Sequence, residues 1–167
     1  GHRFGASCAP GLADLVEGMS LQDLHSPLYV SPGGELCREV KPGATVNVPL
    51  WASFLAERGP AGERLVLRGE LHGWDTLGRH ETYGSSHTPV SFKAWTSAEM
   101  LPLEVTLPDK RCLAVLALYL EDEAGVVLHR NFTTFLVADG PSPRDETVSM
   151  DGANVRLLRF APASFQA

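Results

Sequence analysis

The chain has 167 residues, 44% hydrophobic and 20% charged, the balance of a globular domain rather than a disordered tail. Twenty acidic residues against fourteen Lys and Arg leave a formal charge of −6. The basic residues are scattered, which excludes a phosphate-binding surface and with it nucleic acid as a partner. No apolar run reaches the roughly 18 residues a membrane-spanning helix needs, so no membrane helix is expected.

The first 27 residues read differently from the rest. The chain opens Gly1-His2 without an initiator Met or signal sequence, as a piece excised from something longer does. Leu12, Leu15, Val16 and Met19 fall at helical spacing after Pro10, and Ser20 with Asp23 has the form of a weak capping arrangement. The pattern predicts one or two helical turns between Pro10 and His25, leading into the body and free to pack on a neighbouring domain.

From Leu28 the pattern turns to strands. Leu28–Val30 and Leu36–Val40 are short, separated by Ser31-Pro32-Gly33-Gly34, and Lys41-Pro42-Gly43 is a second turn. Residues 45–54 alternate apolar and polar, with Pro49 marking an edge or a bulge. Arg64–His72 places Leu65, Leu67, Gly69 and Leu71 on one face and Val66, Arg68, Glu70 and His72 on the other. Gly73–Thr88, rich in Gly, Ser, Thr and His, reads as a loop with a short strand near Glu81–Tyr83. Val90–Trp95 and Leu103–Leu107 read as strands separated by a connector, 96–102. Cys112–Leu120, the polar turn Glu121-Asp122-Glu123-Ala124-Gly125 and Val126–Val137 form a central hairpin. Val155–Phe160 reads as a last strand or as a segment lying against the body. Strands at such spacing, with polar Gly/Pro connections, predict an all-β sandwich or barrel. The organisation read here is a connector over 1–27, a β domain over 28–138 and a C-terminal extension over 139–167.

Chemistry is sparse. Cys8, Cys37 and Cys112 are odd in number and lack a C-x-x-C, which argues against a disulfide framework and a zinc site, though one pair could be bridged. Cys112, in an apolar run, reads as a buried small hydrophobe. His72, His80, His87 and His129 match no metal spacing, Ser85-Ser86-His87 is a polar loop rather than a nucleophile with its base, and no Gly-rich phosphate loop follows a strand. Asn131-Phe132-Thr133 fits a glycosylation acceptor but lies inside a predicted strand. No catalytic residue, metal or cofactor is therefore assigned. Aromatic residues offer more. Trp51 and Trp95 sit in strand-like runs and read as core, whereas Trp74 follows Gly73 at a strand end. A sugar platform on this chain would draw on Trp74, Asp75, Tyr83, His87 and Trp95. A small enzyme on the 72–87 loop is the remaining option; it requires a pocket joining at least two of His72, Asp75, His80, Glu81 and His87.

The hairpin Leu118-Tyr119-Leu120-Glu121-Asp122-Glu123-Ala124-Gly125-Val126-Val127-Leu128-His129-Arg130-Asn131-Phe132 resembles a recurring phrase of the accessory domains of glycoside hydrolase family two. There a strand and an acidic turn ending in Gly lead to a strand ending in Arg-Asn-aromatic. Val40–Leu50, Leu67–Leu71 and Leu103–Pro108 fit the order of the same modules, so the likeness spans roughly residues 28–138. The resemblance implies an immunoglobulin-like antiparallel β-sandwich, with residues 1–27, the short helical N-terminal segment read above, as its connector. Such a module is a non-catalytic part of a β-galactosidase-, β-mannosidase- or β-glucuronidase-like enzyme, with a neighbouring domain of the parent chain as its partner. The family's catalytic glutamates sit on a separate barrel, so no catalytic residue carries over. The alternative partner is a polysaccharide or oligosaccharide, and the implied setting is export to the periplasm or the exterior.

Overall fold

The computed structural model describes residues 15–34, 37–60 and 64–138, and the strands Arg144–Met150 and Ala153–Arg159. The fold is all-β, with two packed sheets. One holds β1 (Leu28–Pro32), β3 (Thr45–Phe54) and β6 (Thr96–Thr106), in the order β1-β3-β6. The other holds β2 (Cys37–Val40), β4 (Arg64–Asp75), β5 (His80–Ser91), β7 (Cys112–Asp122) and β8 (Val127–Val137), in the order β2-β8-β7-β4-β5. Every ladder of the two sheets is antiparallel except β2 with β8, which run parallel. Strands β9 (Arg144–Met150) and β10 (Ala153–Arg159) pair with each other as a separate hairpin. Among the described residues no helix is long and apolar enough to cross a membrane.

Strand alternation builds the core. Leu65, Leu67 and Leu71 of β4 lie beside Leu116, Leu118 and Leu120 of β7, all facing the other sheet. Val48, Leu50, Ala52 and Phe54 of β3, with Leu103 and Val105 of β6, face back at them. Each such side chain contributes about 1.5–3 kcal/mol on full burial. Gly73 is there for space, since a Cβ at this position would stand 2.1 Å from the Leu113 carbonyl oxygen.

Strand β7 is apolar on both faces, and its second face is covered by the residues preceding β1. Val16 and Met19 pack on Ala117 and Tyr119, with Leu15, Val127 and Phe132 at the margin. Among the described residues the helical element of this segment is a 3₁₀ turn, Leu21–His25, opened by a complete capping box between Ser20 and Asp23; the part of the expected helix from Pro10 to Asp14 lies outside the described residues. Asp23 does more than cap: its buried carboxylate also accepts from the Arg130 backbone N–H at 3.0 Å, with the Arg130 guanidinium 3.6 Å away. Beneath Tyr119 the Arg68 guanidinium lies 4.0 Å from the ring centroid and bonds Glu121 and Glu70.

Several strand boundaries differ from expectation. The supposed loop 73–88 is the end of β4 and most of the 12-residue strand β5, and the supposed connector 96–102 is the first half of β6. A shift of register at Val48/Leu50 places Leu101 and Pro102 opposite the lone Pro49, a bulge that hides the alternation in sequence. Trp51 and Trp95 are not core. Trp51 lies on the outward parity of β3, 39% exposed against the Gly33 backbone; Trp95 stands in the β5–β6 turn, 67% exposed. Cys112 is buried and free, as a small hydrophobe, and Cys37 is free and exposed; Cys8 lies outside the described residues. Asn131 donates to the Val30 carbonyl, tying β8 to β1.

One buried group makes stability depend on pH. His129 is enclosed, its Nε2–H donating to the Val30 carbonyl and its Nδ1 without a partner. Burial disfavours the imidazolium and lowers its pKa below the ordinary value of about 6.5. The unfolded chain then takes up the proton first, so His129 makes stability fall as pH drops from about 6.5 toward the depressed folded value. Urea unfolding at pH 7.5 and at pH 5.5 should show a larger loss for the wild type than for His129→Gln. Gly73→Ala should cost about 3 kcal/mol or more in the same assay, because the obstacle is backbone.

Candidate functional site

The β4–β5 hairpin carries four of the five residues expected at a sugar site, three of them, Trp74, Asp75 and Tyr83, near its turn. Asp75 closes its turn: Oδ1 accepts from the N–H groups of Leu77 and Arg79 at 2.8 and 2.9 Å, and Oδ2 from Arg79 Nε at 3.0 Å. Gly78 supplies the positive φ of 76° that the closure requires. The Arg79 backbone N–H, ahead of the other donors, holds the Asp75 carboxyl below its usual range. The β7–β8 turn repeats this device, with Asp122 Oδ1 accepting from Ala124 and Val126 and Gly125 at φ 80°.

Trp74 points to the outer face of the five-stranded sheet and packs on His80, centroids 5.1 Å apart, and edge-on to His72 at 5.6 Å. His72 Nε2 is 2.8 Å from the Leu15 carbonyl and His72 Nδ1 is 2.9 Å from His80 Nε2. A carbonyl only accepts, so the His72 proton sits on Nε2 and Nδ1 accepts from His80 Nε2–H. Tyr83 faces the other way. It occupies the register shift opposite Leu71/His72 and packs against the core. Its hydroxyl is buried beside the Cys112 thiol, and burial, then that thiol, push its pKa up to about 12. Lys110 sits 5.4 Å from the Tyr83 ring and is paired with Glu81.

The five residues therefore do not converge. Trp74, Asp75 and Tyr83 share one end of the hairpin but occupy its outer face, its turn and its inner face. His87 is exposed partway along the edge strand β5, opposite Arg68. Trp95 lies past the far end of β5, roughly 35 Å from His80 along the strand. Of the groups considered for an enzyme, His72 and His80 bond each other, while Asp75 is engaged by its turn and Glu81 by Lys110. Among the described residues no three His, Cys, Asp or Glu gather as metal ligands.

What the sequence left unseen is the flank where β5 and β6, the edge strands of the two sheets, run side by side. Positions 84, 86 and 88 of β5 and 69 of β4 are Gly, Ser, Thr and Gly, too small to fill the space between sheets. Two hollows result. One of about 140 Å³ lies between Gly69, Gly84, Ser86 and Glu104. The other, about 360 Å³, has a floor of Ala52, Phe54, Val90, Ala98 and Met100. Its rim carries Thr88, Ser91, Lys93, Thr96, Glu99 and Leu101. None of His72, Asp75, His80, Glu81 or His87 lines either hollow. A run of small polar residues in an otherwise well-patterned strand was the available signal.

Asp75→Ala should lower the melting temperature at pH 7. Because the folded pKa lies below the unfolded one, the difference between wild type and variant should shrink as pH falls through the carboxylate range, in thermal melts from pH 7 to pH 3.

The chain matches no family model, and no curated protein matches it.

Proposed function

We propose that this chain is a non-catalytic, immunoglobulin-like accessory module of a larger carbohydrate-active enzyme, packed beside a glycoside hydrolase catalytic domain. One observation carries the packing role. Trp74, Leu113 and Leu136 are successive cross-strand partners on the outer face of the five-stranded sheet. Leu113 is 36% and Leu136 40% exposed, and large apolar groups held side by side in water on a rigid sheet favour a protein contact. The strand order β1-β3-β6 against β2-β8-β7-β4-β5 agrees with an immunoglobulin-like sandwich. The assignment to a carbohydrate-active parent rests on the resemblance over residues 28–138.

A second reading, in which the module itself binds carbohydrate, is favoured by Trp95, a large aromatic ring presented to solvent.

The first reading is tested by Leu113→Asp/Leu136→Asp. The isolated chain should keep its stability to within about 1 kcal/mol, while the parent enzyme should lose thermal stability. Equal behaviour in both contexts, or turnover of aryl glycosides by the purified chain, overturns it. Retention of the chain on insoluble polysaccharides tests the second.

A further inference from the structure

Two independent features adjoin at the β5–β6 flank, a strained Trp95 and a hollow lined by its chain neighbours Lys93 and Thr96 but not by Trp95 itself. The first is backbone strain. Trp95 adopts φ 54°, the one positive φ outside glycine among the described residues, a region that bulky side chains avoid. A Gly or Asn would make this turn without cost. The core gains nothing from the indole, which stays 67% exposed. Strained residues of this kind gather at functional sites. The second is the hollow of about 360 Å³ whose lining includes Lys93 and Thr96, the residues on either side of Ala94-Trp95. Its volume lies in the range of small-molecule clefts, about 300–1,000 Å³.

The lining specifies the ligand. The floor is apolar, so one face of the ligand is apolar. Hydroxyls of Thr88 and Ser91 offer both donors and acceptors, that of Thr96, which donates to the Ala94 carbonyl at 3.1 Å, offers an acceptor, and the single cation Lys93 is balanced by the single carboxylate Glu99. A rim without net charge and rich in hydroxyls suits a neutral polyhydroxylated compound. A solvent-facing indole suits a ring with a C–H face. We propose that the open flank between β5 and β6 is a binding site for a neutral pyranose, with Trp95 as its stacking platform and the Thr88–Glu99 rim taking the hydroxyls. The proposal rests on the second reading above, that the module binds carbohydrate, and adds where it binds.

The test uses the whole 167-residue chain with cello-, xylo-, manno- and malto-oligosaccharides in calorimetry, and cellulose, xylan and mannan in pull-down. Three variants are compared: Trp95→Gly, Ala98→Phe, which fills the hollow, and Trp74→Ala at the opposite end of the hairpin. Saturable binding to at least one sugar class is expected. Trp95→Gly should weaken it by roughly tenfold or more, the loss of a stacked aromatic. The same variant should melt no lower than the wild type, since glycine relieves the strained φ. Trp74→Ala should bind as the wild type does. Binding lost in Trp74→Ala but kept in Trp95→Gly overturns this site and leaves the carbohydrate reading intact, whereas no binding to any of the sugars overturns both. A lower melting temperature for Trp95→Gly would mean that the indole is structural and overturns the proposal. So does concentration-dependent dimerisation abolished by Leu101→Glu, which would give the flank to a second copy of the chain.

Discussion

From Ala114 to Leu120 strand β7 is buried on both faces, and that constraint organises the molecule. One face meets the three-stranded sheet; the other needs a cover, and the segment before β1 supplies it. What holds the cover down is the Asp23 carboxylate. It accepts from Ser20 N–H within its own turn and from the backbone N–H of Arg130 on β8, while Arg130 Nε donates to the Glu17 carbonyl. A buried carboxylate is tolerable only with its acceptor capacity filled, so the 3₁₀ turn, Arg130 and the seating of Val16 and Met19 form one cooperative unit. His72, through the Leu15 carbonyl, pins the same segment farther along the sheet.

The two flanks of the sandwich are treated in opposite ways. At β1 and β8 the sheets are drawn together. The Val30 carbonyl accepts from both His129 and Asn131, and the Tyr29 and His129 rings lie 4.3 Å apart. At β5 and β6 small residues leave the sheets apart. Rigidity on one side and a gap on the other is the usual arrangement by which a scaffold presents a site, because the closed flank fixes the geometry of the open one.

Legibility in the sequence followed the strength of the burial pattern. The two faces of β4 could be read residue by residue from their alternation, and the β7–β8 hairpin as two long apolar runs around a polar turn. The capping role of Ser20 and Asp23 was visible, but the bond from Asp23 to Arg130 was not, because it joins residues far apart in the chain. Strand β5 looked like a loop, as an edge strand with exposed Ser, Thr and His has no apolar period to show. Strand β6 was cut in two by the Leu101-Pro102 bulge. Trp51 and Trp95 were misjudged for one shared reason: an aromatic in an apolar run suggests core, yet parity puts Trp51 outside and a turn holds Trp95. Of the five expected site residues, sequence proximity joined Trp74, Asp75 and Tyr83, but the pleat and one register shift sent them to different surfaces.

The parallel pairing of β2 with β8 has a mechanical consequence. Chain enters β2 at Cys37 and leaves β8 at Val137, with Cys37 beside Thr134 and Val40 beside Val137. Tension applied across these two strands pulls them in opposite senses along their shared direction. The slanted hydrogen bonds of a parallel ladder are then loaded together, in shear, instead of being opened one at a time as in a peeled hairpin. Force directed along β2 and β8 therefore meets the whole of their shared ladder at once, at one edge of the five-stranded sheet, before it reaches the strands of the interior.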